Sequence, residues 1–168
     1  MNGDHEAYNN VFSRQWSSSS KPVVLIVEDH DDTREVLRIL LAMAGCHVIE
    51  AEDGQHAMRL AEMMRPNLIL LDMKIPLLDG LSVTRMIRSH PTLNSVPIVA
   101  ITGIATPQFQ ADAFQAGCNY CFVKPIDFNR LEELIKVLVR SPRQPSPLDS
   151  HYSLALRSKG VLCSYQFH

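Results

Sequence analysis

The chain has 168 residues, which fits one domain with residues left over for tails. Hydrophobic residues make up 46% and charged residues 20%, and the net charge is −2, so a strong electrostatic pull toward nucleic acid or anionic membrane is excluded. No apolar stretch reaches the length of a bilayer span, and the opening MNGDHEAYNN lacks a basic-then-apolar signal, so a cytoplasmic protein is expected.

Residues 1–20 are polar, end in Ser17-Ser18-Ser19-Ser20, and read as a disordered leader. Val23-Val24-Leu25-Ile26-Val27 is an apolar, largely β-branched run that suits a strand buried on both faces, and it stops at Glu28-Asp29. A helix follows, with N-cap candidates from Asp31 to Thr33. Its apolar positions are Val36, Leu37, Leu40, Leu41 and Ala44, and Gly45 ends it. Cys46 to Ala51 reads as a shorter strand. After Asp53-Gly54 comes a second helix with Ala57, Met58, Leu60 and Ala61 on its apolar face, broken by Pro66-Asn67.

Leu68 to Leu71 is a second wholly apolar strand, and it too ends in an acid, Asp72. Pro76 and Asp79-Gly80 mark a loop. A third helix spans Leu81 to Ser89, with Val83, Met86 and Ile87 expected to face inward, and His90-Pro91 ends it. Ile98 to Ile101 is the next buried strand, finishing in Thr102-Gly103. A fourth helix fits Pro107 to Ala116, with Gly117 as its cap. Tyr120 to Val123 is a short strand running into Lys124-Pro125. Asp127 caps a last helix whose stripe is Leu131, Leu134, Ile135, Leu138 and Val139. Residues 141–168 open as a Pro- and Ser-rich linker and are expected to end in a disordered tail, which leaves a domain over 21–140.

Five strands alternating with five helices predict an α/β fold, a parallel sheet with helices on both faces. Cys46, Cys118, Cys121 and Cys163 do not make a disulfide framework in a chain of this size. Cys118 and Cys121 form one CxxC, read as a loop cysteine plus a buried strand cysteine; a redox pair or half a zinc site is the alternative reading.

The polar signals Glu28-Asp29, Asp72, Thr102 and Lys124 sit at the carboxyl ends of four buried strands. In an open parallel sheet that edge is where sites form. Carboxylates gathered in one crevice repel one another, and a hard divalent cation such as Mg²⁺ relieves the repulsion. Carboxylate, cation, lysine and hydroxyl together suit a transferring phosphoryl group, with one carboxylate as nucleophile. Singly, each residue reads as a cap, a turn or a surface charge; jointly, in this order, they read as a site.

The segments VLIVEDH (24–30), LILLDMKIPLLDG (68–80), IVAITG (98–103) and FVKPI (122–126) resemble the receiver domain family of two-component signalling, over about Pro22 to Val139. The resemblance implies a flavodoxin-like, doubly wound five-stranded parallel sheet of order 2-1-3-4-5 with five helices on both faces. It implies Asp72 as phosphoacceptor, with Thr102 and Lys124 contacting the phosphoryl group. Mg²⁺ would be held by Asp29, Asp72, Glu28 (directly or through water) and the backbone carbonyl of Lys74. Pro125 would follow a cis peptide bond. The phosphoryl donor would be a histidine kinase or histidine phosphotransfer protein, and the chain would catalyse only its own phosphorylation and slow dephosphorylation.

Two departures from the family pattern matter. Cys121 stands where an aromatic residue often helps report phosphorylation, three positions before the lysine, and Tyr120 beside it points to the opposite face. Lys74 and Ile104 occupy positions that influence loss of the phosphoryl group, and their bulk is expected to hinder an attacking water. A phosphorylated state lasting at least minutes is therefore predicted; loss within seconds, followed by intact mass, would refute it. A phosphate-independent binding module with the same fold is the competing reading. A phosphohydrolase of the aspartyl-phosphate type is disfavoured, because such enzymes place a second acid where this chain has Lys74. No recognition helix or basic stripe follows Val139, so direct DNA binding is not expected. Output is expected through a downstream protein partner, on the face of the fourth helix, fifth strand and fifth helix, which carries Phe109, Phe114, Phe128 and Arg130 and would also serve a homodimer.

Overall fold

Each apolar, β-branched run becomes a strand: β1 Val23–Val27, β2 His47–Ala51, β3 Leu68–Asp72, β4 Ile98–Thr102 and β5 Tyr120–Val123. The structure, a computed structural model, describes residues 21–140; the expected leader and the linker and tail lie outside the described residues. All pairings are parallel and the order is β2-β1-β3-β4-β5, as expected. The helices are α1 Asp31–Met43, α2 Gly54–Met64, α3 Gly80–Ser89, α4 Pro107–Ala116 and α5 Phe128–Arg140.

The two-residue period of a strand sends alternate side chains to opposite faces, and two separate apolar layers result. On one face Val24, Ile26, Leu68, Leu70, Val99, Ile101 and Phe122 pack with Leu37 and Leu41 of α1 and Leu131, Leu134 and Ile135 of α5. On the other, Leu25, Val27, Ile69, Leu71, Ile98 and Ala100 pack with Ala57, Met58 and Ala61 of α2, Val83 and Ile87 of α3 and Ala113 of α4. β3 lies in the middle of the sheet and all its residues are buried, which explains its unbroken apolar run.

Local chemistry fixes the element ends. Asp53, Asp79 and Thr106 accept from the amides of His56, Ser82 and Phe109 and so cap α2, α3 and α4. Asp127 accepts from the Arg130 amide at 3.2 Å and caps α5. Gly117 ends α4 in a left-handed conformation (φ 113°) that a side chain rarely adopts.

Several sequence expectations need correction. α1 starts one residue early for its expected caps: His30 is the N-cap, it makes no side-chain capping bond, and Asp31 and Asp32 fall in the first turn. Val36 and Met86 are each 45% exposed rather than facing inward. Each lies one residue, or 100° of helix, from a position that fixes the buried face, Leu37 in α1 and Ile87 in α3. β2 begins at His47, because Cys46 belongs to the turn out of α1, where its amide donates to Leu41 O. α3 begins at Gly80, one residue earlier than expected.

Truncating Leu70→Ala, fully buried at the sheet's centre, is expected to cost about 3 kcal/mol. Val36→Ala, on the exposed face, should stay within about 0.5 kcal/mol. Urea unfolding of the two variants beside the parent checks both.

Candidate functional site

Among the described residues the buried polar or charged ones are Glu28, Asp72, Thr84 and Thr102, and three of these stand at the carboxyl ends of strands. Glu28 is 1% exposed, Asp72 3% and Thr102 1%, so each is drawn out of water and needs a partner. Among the described residues one ammonium is bonded to these acids. Lys124 Nζ donates to Asp72 Oδ2 at 2.6 Å and to Glu28 Oε2 at 3.0 Å. The other Asp72 oxygen, Oδ1, accepts from the Lys74 amide at 2.8 Å.

Strand parity puts these groups together. Glu28 continues the alternation of Val24 and Ile26, Asp72 that of Leu68 and Leu70, and Lys124 that of Tyr120 and Phe122; all of these apolar residues face the α1/α5 layer. Backbone bonds hold the strand ends level: Met73 N donates to Ile101 O at 2.8 Å and Lys124 N to Thr102 O at 2.7 Å. The Lys124–Pro125 peptide bond is cis. Thr102 has the opposite parity, that of Ile98 and Ala100 on the α2/α3/α4 side. Its Oγ1 accepts from the Ile104 amide at 3.0 Å and fixes the loop leaving β4.

The loop between β1 and α1 carries the rest. Asp29 is more open than Glu28. His30 Nδ1 lies 2.9 Å from Asp29 Oδ1 and 3.3 Å from Glu28 Oε1. Arg34, one turn into α1, donates from Nη1 to the Glu28 carbonyl at 2.7 Å and pairs with Asp31 through Nη2. Ligand atoms of Glu28, Asp29 and His30 all lie within 4.8 Å of one another; Asp72, held by Lys124, is outside that group. Sequence reading named Glu28 and Asp29 but passed over His30 and Arg34. Neither carries a periodic signal in the sequence: the His30 contacts exist only once the loop has closed, and Arg34 shows its role only once α1 is folded.

The charges are out of balance, since Glu28 and Asp72 share one lysine and a third carboxylate, Asp29, stands beside them with His30. Burial pushes the Glu28 carboxyl above its ordinary range; the bond from Lys124 opposes this and the Asp72 charge adds to it. Burial works against the Lys124 ammonium, but its bonds to Asp72 and Glu28 outweigh that and hold it above the usual lysine value. The hydrogen bond and charge of Asp29 raise the His30 imidazole, and Glu28 adds to the effect.

Cys121 faces the α2/α3/α4 layer opposite Ala100, and Tyr120 faces the other layer, as strand alternation predicts. Burial pushes the Cys121 thiol up to about 11 and raises that of Cys118, whose Sγ lies 3.5 Å from Thr84 Oγ1. Among the described residues neither cysteine joins a cluster of metal-ligating groups. Both are free and packed against one core, which favours the reading of the CxxC as packing residues.

The model of the response regulator receiver domain matches residues 24–136. The chain belongs to the response-regulator receiver domain family. It is 34% identical over 113 residues to the polar-differentiation response regulator DivK of Brucella anthropi, covering 67% of this chain and 92% of that protein. It is 30% identical to the probable transcriptional regulator ycf27 of Cyanophora paradoxa, covering 76% of this chain but only 52% of that relative. The receiver domain of sensor histidine kinase PA1611 from Pseudomonas aeruginosa superposes with a TM-score of 0.67 at 34% identity, covering 73% of this chain and all of that one; its structure holds a magnesium ion in the active-site cleft.

In this receiver domain the Glu28 imbalance has a measurable consequence. A raised folded-state pKa means the folded protein holds the Glu28 proton more readily than the unfolded chain does. That stability is present at low pH and is lost as the pH rises through the folded value, so at neutral pH the ionised group weighs against folding. Glu28→Gln is therefore expected to stabilise the metal-free domain at pH 7, an advantage that shrinks at pH 4. Thermal unfolding in EDTA at both pH values measures it.

Proposed function

We propose that this chain is a phosphorylation-driven signalling switch of the two-component type, with Asp72 as its phosphoacceptor. The observation that carries the reading is the pair of bonds on Asp72. Its carboxylate, nearly buried at the end of the central strand, is oriented by the Lys74 amide through one oxygen and by Lys124 through the other. A nucleophile so held needs no large reorganisation before it attacks.

The donor set fits a hard divalent cation: oxygen ligands predominate, and the carboxylates outnumber the one ammonium beside them. Glu28, Asp29, Asp72 and the backbone carbonyl of Lys74 would hold Mg²⁺. Bound there, Mg²⁺ supplies positive charge against the oxygens of a transferring phosphoryl group. An Asp72 carboxylate oxygen forms the new bond to phosphorus as the phosphorus–nitrogen bond of a phosphohistidine on the partner breaks. Lys124, already on Asp72, gives up a carboxylate contact to meet the new phosphoryl oxygens, and the Thr102 hydroxyl donates to another. Lys74 and Ile104 flank the approach of water, and both are exposed. No turnover of a free substrate is part of the reading.

The donor partner is a histidine kinase or a histidine phosphotransfer protein. The output partner is a protein that docks on the α4–β5–α5 face, where Phe128 is exposed and Ile104 lies exposed just before α4. That face also serves as the homodimer surface of the reading, and the setting is cytoplasmic. Among the described residues no helix is long and apolar enough to cross a membrane. A second reading, a receiver-fold binding module that works without phosphate, draws on one observation, the small Cys121 in the place of an aromatic reporter.

Intact mass after incubation with acetyl phosphate and Mg²⁺ tests the proposal. One added phosphoryl group is expected, absent from Asp72→Asn and absent in EDTA. No addition to a protein that is folded by circular dichroism would reject the switch and favour the binding module.

A further inference from the structure

α1 carries an apolar stripe that the core does not use. Leu37 and Leu41 turn into the sheet, while Val36, Ile39 and Met43 are 45%, 46% and 73% exposed. Spacings of three and four residues put those three side chains on one line along the helix, about 10 Å long. Leu40, half-buried beside them, widens it. Large apolar side chains lined up toward water mark a contact surface, where single scattered ones would not.

The chain itself offers a match. Residues 1–20, outside the described residues, hold the one tryptophan of the sequence, and Tyr8, Val11, Phe12 and Trp16 there repeat at helical spacing. Asn9, Asn10, Ser13 and Arg14 would fall on the other side of such a helix, and its apolar side would be about 12 Å long. Alone, so short a helix is marginal in water; an apolar surface to lie on is what it lacks. The point of attachment fits as well. Because β1 and β2 are parallel, α1 runs back to the amino edge of the sheet. The leader joins at that same edge, where the Pro22 carbonyl accepts from His47 N at 2.8 Å, just past the turn out of α1. Residues 17–21, four of them serines, reach up to about 20 Å. That is enough to place Trp16 against Met43, the last residue of α1. Residues 141–168 match the stripe less well, since Tyr152, Leu154 and Leu156 alternate at the period of a strand.

We propose that residues 7–16 form a helix lying parallel to α1 on its exposed stripe, with Trp16 on Met43, Phe12 and Val11 about Ile39, and Tyr8 at Val36. The contact is intramolecular and turns α1 from an outer helix into an inner one. It is independent of the phosphoryl chemistry proposed for Asp72.

Trp16 is the single indole of the sequence, so tryptophan fluorescence of the full chain reports on the leader alone. A peptide of residues 1–20 is the solvated reference. The expected result is emission to the blue of the peptide and weaker quenching by acrylamide, both independent of protein concentration. Ile39→Asp and Met43→Asp each put a charge on the stripe and should each move the emission to that of the peptide. Met63→Asp, at an equally open methionine on α2 across the sheet, should leave it unchanged. All three positions are exposed, so the variants should fold, and circular dichroism with the urea midpoint checks this. Parent emission and quenching equal to the peptide's would overturn the proposal. So would a blue shift that survives both α1 variants, or one that Met63→Asp also abolishes. A blue shift that fades on dilution would give the stripe to a second copy of the chain and overturn the intramolecular contact.

Discussion

One ammonium between two buried carboxylates is the constraint on which the site depends. Lys124 reaches Asp72 at 2.6 Å and Glu28 at 3.0 Å, and both acids are nearly out of water. Leaving such charges unpaired would cost several kcal/mol each. The pairing in turn demands that three strand ends, β1, β3 and β5, finish level with one another. Parallel pairing through β4 supplies this, since Lys124 is bonded through its amide to Thr102 O and Met73 through its amide to Ile101 O. The pairing is also incomplete, because Asp29 stands beside the pair and, among the described residues, has His30 as its side-chain partner. A cleft with more negative than positive charge is stable only in a strongly supporting frame, and it has a standing attraction for cations.

The frame is the sheet with its two apolar layers. Because α1 and α5 cover one face and α2, α3 and α4 the other, the carboxyl edge is where polar side chains escape the core without breaking it. The β3–α3 connection closes tightly over that edge. A Cβ on Gly80 would lie 2.7 Å from Met73 Cα and 2.8 Å from the Asp72 carbonyl, so only a glycine lets α3 begin there. The opposite edge has its own fastening. Arg88 donates to the carbonyls of Val96 and Gly117 and to the Asn119 side chain, each at 2.8 Å, and so ties α3 to the entries of β4 and β5. The position of Lys124 is thus fixed from both ends of β5.

Most of the fold was legible because its signals are one-dimensional. Apolar runs ending in acids, glycines after helices and caps before them occupy fixed places along the chain. The polar residues of the cleft were legible for the same reason, since Glu28, Asp72, Thr102 and Lys124 stand at or just past the carboxyl ends of strands. What was not legible depends on direction around an element. Val36 and Met86 fit a helical stripe by spacing alone, yet the centre of each stripe lies one residue on, at Leu37 and Ile87. His30 was hidden for a different reason. A histidine after two acids in a loop has no period to betray it, and its contact with both carboxylates exists only once the loop has closed on α1. Arg34 reads on paper as an exposed helix charge, but folding turns its guanidinium back onto the Glu28 carbonyl.

The two faces of the sheet also divide the polar groups of the cleft between them. Glu28, Asp72 and Lys124 follow the parity of the α1/α5 layer, while Thr102 and Cys121 follow that of the α2/α3/α4 layer. If Asp72 gains a charge as proposed, Thr102, at the same polar edge but with the parity of the far face, is the side chain placed to pass the change toward α4. In the pattern that the family resemblance implies, an aromatic ring large enough to change place often stands where Cys121 does. A thiol has no such reach. Cys121 packs in the same core as Ala100, Ala113 and Cys118, so there is little side chain to swing there. A change at Thr102 would then be felt first in the backbone it holds, through the Ile104 amide and the loop that leads into α4. On that argument the proposed switch would respond by a shift of the β4–α4 loop rather than a ring rotation, with the exposed Ile104 as the side chain that it moves.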